Sequence, residues 1–190
     1  MVNGMKNLTN HSIVTYGEYL ELRKHSDDFW EFIDGVVYMS PSPSTKHQRI
    51  SMRLSIQLGN LLAGKECEVM AAPYDIVLSD KENEEKVVIP DLSVICDPSG
   101  FDENRYVGIP DMIIEIVSPS NQAHDIVFKL NLYQKYKVKE YWIVNPLQHY
   151  VQVFTMNNES LYEILANEKS GTIASQVVPG FVLNVDEVLR

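Results

Sequence analysis

PDMIIEIVSPS, residues 110–120, is the stretch on which the fold turns. Residues 112–117 form an apolar run too short for a helix and too apolar for an edge exposed on both faces, so they read as a central strand. One acid, Glu115, sits inside that run, and a carboxylate in such surroundings needs a partner because an unpaired buried charge is costly. Ser-Pro-Ser-Asn then opens a helix over about 121–137, with Ile126, Leu130 and Tyr133 on one face, and EYWIVN, residues 140–145, returns as a strand. Ser118 and Ser120 turn the chain and cap this helix; no G-x-S-x-G or Ser-x-x-Lys arrangement makes either a nucleophile.

Upstream, Thr15 caps a short amphipathic helix, with Tyr16, Tyr19, Leu20 and Leu22 as its apolar side and an end near His25. FWEFIDGVVYMSPSP, residues 29–43, holds two strand-like runs around Asp34-Gly35, a dipeptide suited to a type I′ hairpin. A long helix follows from Ser44, with Thr45 and Gln48 at capping-box spacing and Ile50, Leu54, Leu58 and Leu61 as its stripe. Residues 69–78 and VVIPDLSVIC, residues 87–96, read as antiparallel strands joined by the charged loop SDKENEEK. Downstream, 149–155 and 160–166 form a hairpin about Asn157-Asn158, and a short helix over 185–189 closes the chain. Helix, hairpin, helix, strands, helix, strands is the order of an α/β protein with a mixed central sheet flanked by helices. The division expected is a polar N-terminal tail over 1–12 and a single domain over 13–190.

The net charge is −10 with a pI near 4.9, which argues against a broad grip on a phosphate backbone; nucleic-acid contact has to be local or metal-assisted. Cys67 and Cys96 lie far apart without disulfide or zinc spacing, and no stretch has the ~18 apolar residues of a membrane span, so a soluble, cytoplasmic protein is expected. The sequons at Asn7 and Asn10 are chance matches without a secretion signal. Neither a Gly-rich phosphate loop nor zinc-ligand histidine spacing occurs.

Two Pro-Asp dipeptides compete, Pro90-Asp91 and Pro110-Asp111. Asp111 and Glu115 share one strand and lie about 13 Å apart along it, too far for one small ion. Asp91 is on another strand; were the two strands neighbours, about 4.8 Å apart, its carboxylate would meet that of Glu115 over one sheet face. Two carboxylates and a backbone carbonyl, that of Ile116, leave Mg²⁺ or Mn²⁺ with positions for water and a phosphate oxygen. A cation should stand close by. The same-face position two residues after Glu115 is Val117, so the best substitute is Lys129 on the following helix, folding back over the acids. Against this, Asp125 and Lys129 have the spacing of a surface i,i+4 pair, and Asp91 and Glu115 could be structural acids. Glu31 and His47 rim the same region as weaker candidates, a helix-start histidine being ordinarily a packing residue. Lys46, Arg49 and Arg53 could present a basic stripe, though a solvated helix face has the same spacing.

EFIDGVVYMSPSPSTKH, IPDLSVI, PDMIIEIVSPS and DIVFKLNLYQKYKVKEYWIVNP, in this order, resemble the Uma-type restriction endonuclease family of the PD-(D/E)XK superfamily over about residues 15–155. The resemblance implies an endonuclease-like fold and a metal and catalytic group that falls on Asp91, Glu115 and Lys129, with Glu31 and His47 near the cleft. It further implies Mg²⁺ or Mn²⁺ as cofactor, DNA as substrate and a homodimer. Lys137-Val138 departs from the family's Gly-Val, which puts a tight helix-ending turn in doubt. Two rivals stand beside a Mg²⁺-dependent DNA endonuclease: a catalytically inactive binding or regulatory module on the same fold, and a structural dimer using Trp142 and Tyr150.

Overall fold

The computed structural model describes residues 13–26, 28–39, 42–79, 86–118 and 124–190, and of residues 124 and 125 the backbone alone. The tail over 1–12 with its sequons, most of the charged loop, residues 119–123 of the helix start and the Asp125 side chain lie outside these residues.

The chain begins with α1 (Tyr16–Lys24), the hairpin β1 (Trp30–Ile33) and β2 (Val36–Met39), and the long α2 (Thr45–Leu62). Then come β3 (Glu68–Ala71), β4 (Asp75–Leu78), β5 (Lys86–Val88), β6 (Leu92–Ile95), β7 (Arg105–Val107) and β8 (Met112–Ile116). After α3 (His124–Lys135) follow β9 (Glu140–Asn145), β10 (Tyr150–Met156), β11 (Tyr162–Glu168), β12 (Thr172–Ala174), β13 (Val182–Asn184) and α4 (Val185–Leu189).

Local chemistry accounts for the element boundaries. Thr15 and Glu18 close a reciprocal capping box on α1, while Leu20, expected on its apolar side, is exposed. Asp34 and Gly35 both take positive φ, 50° and 78°, as a type I′ turn demands. The cap of α2 is Ser44, one residue before the expected Thr45: its hydroxyl accepts the His47 amide. The tight turn expected to be doubtful after α3 does form. Lys137 takes φ 60°, Val138 N–H donates to Tyr133 O and Lys137 N–H to Gln134 O, the two bonds of a Schellman ending.

The architecture is a mixed α/β one. The main sheet has the order β11-β10-β9-β8-β6-β3, with β8 parallel to β9 and its other pairs antiparallel. A second sheet, β2-β1-β5-β4-β7, was not foreseen. It arises because the two runs that read as continuous strands, 69–78 and 87–96, are each cut at a proline: the first divides around Pro73 into β3 and β4, and the second at Pro90-Asp91 into β5 and β6. Proline offers no N–H to a ladder, so at each the chain leaves one sheet for the other. The antiparallel pairing of β4 with β5 is as expected.

Period-two alternation in β8 sorts its side chains into two cores. Met112, Ile114 and Ile116 pack under α2 and α4; Ile113 and Val117 face α3 and the second sheet. α1 covers the far side of the second sheet through Tyr19, Phe32, Val77 and Val87. The buried residues of α3 are Lys129, Leu132 and Tyr133, followed just past its end by Tyr136, and Ile126 and Leu130 are partly buried against the same core. Trp142, considered for a dimer face, is fully buried against Phe181 and donates to Glu140, so it takes no part in an interface.

Contrary to what their spacing suggests, the two cysteines are not unpaired. Cys67 and Cys96 form a disulfide, because the antiparallel register of β3 with β6, Glu68 opposite Ile95, brings the two residues just beyond it together. The bond removes the argument for a reducing compartment that rested on unpaired cysteines. Among the described residues no helix is long and apolar enough to cross a membrane.

Candidate functional site

Asp91 stands where the chain passes from the second sheet to the main one. The β6–β8 register pairs Leu92 with Ile114 and, carried one residue further, sets Asp91 across from Glu115. Its backbone is pinned by Ala72 N–H donating to its carbonyl at 3.0 Å. Its carboxylate accepts the Ile116 N–H at 2.7 Å, and His47 Nε2 lies 3.1 Å from Oδ1. The His47 ring reaches this point because it heads the buried stripe of α2, one turn before Ile50.

Glu115 points from β8 toward α3. Its Oε1 accepts from Lys129 Nζ at 2.9 Å and from the Tyr133 hydroxyl at 2.7 Å. Lys129 also lies 3.3 Å from Glu31, whose Oε1 accepts the Ile89 N–H at 2.8 Å. The Lys129 side chain is only 8% exposed, which rules out the surface-pair reading of this lysine. Glu31 comes from the second sheet, Glu115 from the main one, and Asp91 from the junction.

Asp91, Glu115, Lys129, Glu31 and His47 line one cavity of about 330 Å³, with Ile116 in its wall. Burial opposes charge on His47, but the hydrogen bond and negative charge of Asp91, with Glu115 behind it, outweigh burial and raise its pKa above the ordinary value. Nδ1 of the same ring is buried with no hydrogen-bond partner among the described residues. Tyr133 is fully buried, and burial together with the charge of Glu115 holds its phenol protonated, so it acts on Glu115 as a donor.

All six residues singled out from sequence, Asp91, Glu115, Lys129, Glu31, His47 and Ile116, therefore border one space. Asp111 does not: it accepts the Cys96 N–H and pairs with Lys139 at the opposite end of β8, facing a separate cavity. The basic row of α2 is partly spent on carbonyls, Lys46 on that of Pro146 and Arg53 on those of Val188 and Arg190. Tyr133 was missed as a site residue; its position four after Lys129 puts both on one helix face, and that spacing was the available signal.

Among the described residues no three His, Cys, Asp or Glu side chains converge as a ready metal cage. Mg²⁺ does not require one, since it binds through one or two carboxylates and keeps several waters. Asp91, one residue before β6, and Glu115 on the neighbouring β8 are a donor set of that kind.

The model of the Uma2 family, described as "putative restriction endonuclease", matches residues 16–186. The chain belongs to the Uma2 family. Two cyanobacterial relatives, both from Synechocystis sp. (strain ATCC 27184 / PCC 6803 / Kazusa), carry the names uncharacterized protein slr1290 and uncharacterized protein sll1609. The first is 28% identical over 174 residues, covering 91% of this chain and 90% of its own length. The second is 25% identical over 148 residues, covering 74% and 82%. A crystal structure from Anabaena variabilis ATCC 29413, titled as a putative nuclease belonging to DUF820, superposes with a TM-score of 0.74 at 18% identity, covering 93% of this chain and 97% of that one. At that identity the likeness speaks for the fold, and it bears out the endonuclease-like architecture. Uma2 membership and this fold together support a nuclease, a class that generally uses divalent metals.

Proposed function

We propose that this Uma2 protein is a Mg²⁺-dependent endonuclease that hydrolyses DNA phosphodiester bonds, with residues 13–190 acting as one unit. The observation that carries the reading is the buried Lys129 ammonium 2.9 Å from Glu115, on the strand next to Asp91. Asp91, Glu115 and the Ile116 carbonyl hold the metal in this reading; Mn²⁺ could substitute. A bound divalent ion would polarise the phosphoryl oxygen and lower the pKa of a coordinated water. Lys129 supplies positive charge where negative charge develops on the phosphate. Tyr133, the second donor on Glu115, fixes that carboxylate's orientation. Glu31 sets the place of Lys129, and His47 that of Asp91. A cytoplasmic homodimer belongs to the same reading, because two such sites can cut two strands.

A catalytically inactive module on the same fold is the second reading, favoured by the net charge of −10, which weakens any general attraction to DNA. Calorimetric titration of Mg²⁺ or Mn²⁺ into the protein and its Asp91→Ala and Glu115→Ala variants, beside a plasmid-nicking assay, separates the two. Binding and nicking that vanish together in both variants are expected; cleavage retained in Asp91→Ala, or no metal binding to the parent protein, overturns the reading.

A further inference from the structure

One residue of the cavity lining, Phe29, has no use in the chemistry above. It lines the cavity beside Glu31, Ile89 and Ile126, yet is 45% exposed. Glu31 pairs with Tyr38 across the β1–β2 hairpin, and the Tyr38 ring lies 6.2 Å from that of Phe128, the neighbour of Lys129 on α3. Phe29 is thus the solvent-open ring of the cavity lining, and the Tyr38–Phe128 contact lies outside that lining, on the strand that pairs with the one carrying Glu31. An aromatic ring open to water in a cavity wall offers a face on which another planar group can stack.

Charge narrows what that partner is. A duplex presents phosphates outward and hides the faces of its bases, so a protein gripping it needs rows of cations. Here the chain is strongly acidic, and Lys46 and Arg53 on α2 are engaged with main-chain carbonyls. A cavity of about 330 Å³ is at the small end of those that take a single compact ligand. An unpaired nucleotide offers what a duplex withholds, a free base face to stack on an aromatic ring, and needs few cations to do so.

We propose that the cleft receives an unpaired nucleotide of single-stranded DNA, Phe29 stacking on its base while the adjoining phosphate lies beside Lys129, over the divalent ion that Asp91 and Glu115 would hold; this rests on the nuclease reading above. Duplex DNA is then a substrate only where a strand is unpaired, at a flap, gap, bubble or frayed end.

The test is fluorescence anisotropy of the full chain with a labelled oligothymidine and with a blunt duplex of equal length, in Ca²⁺ as a hard cation replacing Mg²⁺, together with nicking in Mg²⁺. The single strand should bind at least about tenfold more tightly than the duplex. Phe29→Ala should weaken single-strand binding by roughly fivefold to 150-fold, the range one base–aromatic stack spans. Phe29→Trp should retain binding, with its added emission quenched by the oligonucleotide. Duplex bound as tightly as single strand, or binding indifferent to Phe29→Ala, overturns the proposal. So does a Phe29→Ala variant that passes from dimer to monomer on size exclusion with unchanged strand binding, since the ring would then cover a second copy. Single-strand binding that depends on Phe29 without any Mg²⁺-dependent nicking upholds this assignment and sinks hydrolysis; nicking of duplex that ignores Phe29 does the reverse.

Discussion

Lys129 and Glu115 form an ion pair of 2.9 Å in which the ammonium is nearly withdrawn from solvent, and a second carboxylate, Glu31, stands 3.3 Å from the same nitrogen. Breaking a buried pair from one side leaves charge without compensation, at a cost of about 3–5 kcal/mol. Lys129→Met should therefore lower unfolding free energy by about that amount in urea titrations at pH 7 as well as abolish nicking. Adding Glu31→Gln should return part of the stability and none of the activity. A Lys129→Met protein as stable as the parent would contradict the buried geometry.

Tyr133→Phe removes one hydroxyl and leaves the ring packing against Tyr141 in place. The lost hydrogen bond to a charged group should cost about 1.5–3 kcal/mol of stability. If the hydroxyl aims Glu115, Mg²⁺ affinity in calorimetry should fall as well; a loss of stability with unchanged affinity would make Tyr133 purely structural.

Reduction of Cys67–Cys96 opens a loop closed over 29 residues, for which the chain-entropy account gives about 3–4 kcal/mol. Dithiothreitol should lower the urea midpoint accordingly. Asp91 and Cys96 lie at opposite ends of β6, so nicking measured well below that midpoint should be unchanged.

Asp75 lies 2.8 Å from Arg23, yet burial outweighs the guanidinium and raises its pKa above the ordinary carboxylate value. The folded state then holds this proton to higher pH than the unfolded one, so the contribution of Asp75 to stability falls as pH rises from about 4 through the raised folded pKa. Asp75→Asn has no such titration. Urea unfolding of both proteins between pH 4 and 7 should show the stability of the variant gaining on that of the parent as pH rises; a constant difference would contradict the raised pKa.

What was legible in the sequence follows the range of each signal. Glu115 stood out because an acid inside MIIEIV contradicts its surroundings, and Asp91 because strand geometry disqualified Asp111. The turn at Asp34-Gly35 and the stripe of α2 are local and were readable. The second sheet was not, since Pro73 and Pro90 mark interruptions without saying where the chain goes next. Cys67 and Cys96 face each other only because β3 adds to the edge beside β6, a pairing that no spacing reveals. Lys129 was readable as a candidate by its place after the Glu115 strand; that it leads the buried stripe of α3 depends on how that helix settles between the sheets.

The break at Pro90-Asp91, which passes the chain from one sheet to the other, makes the site a report on how the two are docked. Glu31 travels with one sheet and Glu115 with the other, and Lys129 spans them. A sub-global opening that loosens the hairpin would pull the cluster apart while most native structure persists. On slow heating, nicking should disappear several degrees before the cooperative loss of ellipticity, and recover on cooling from that interval.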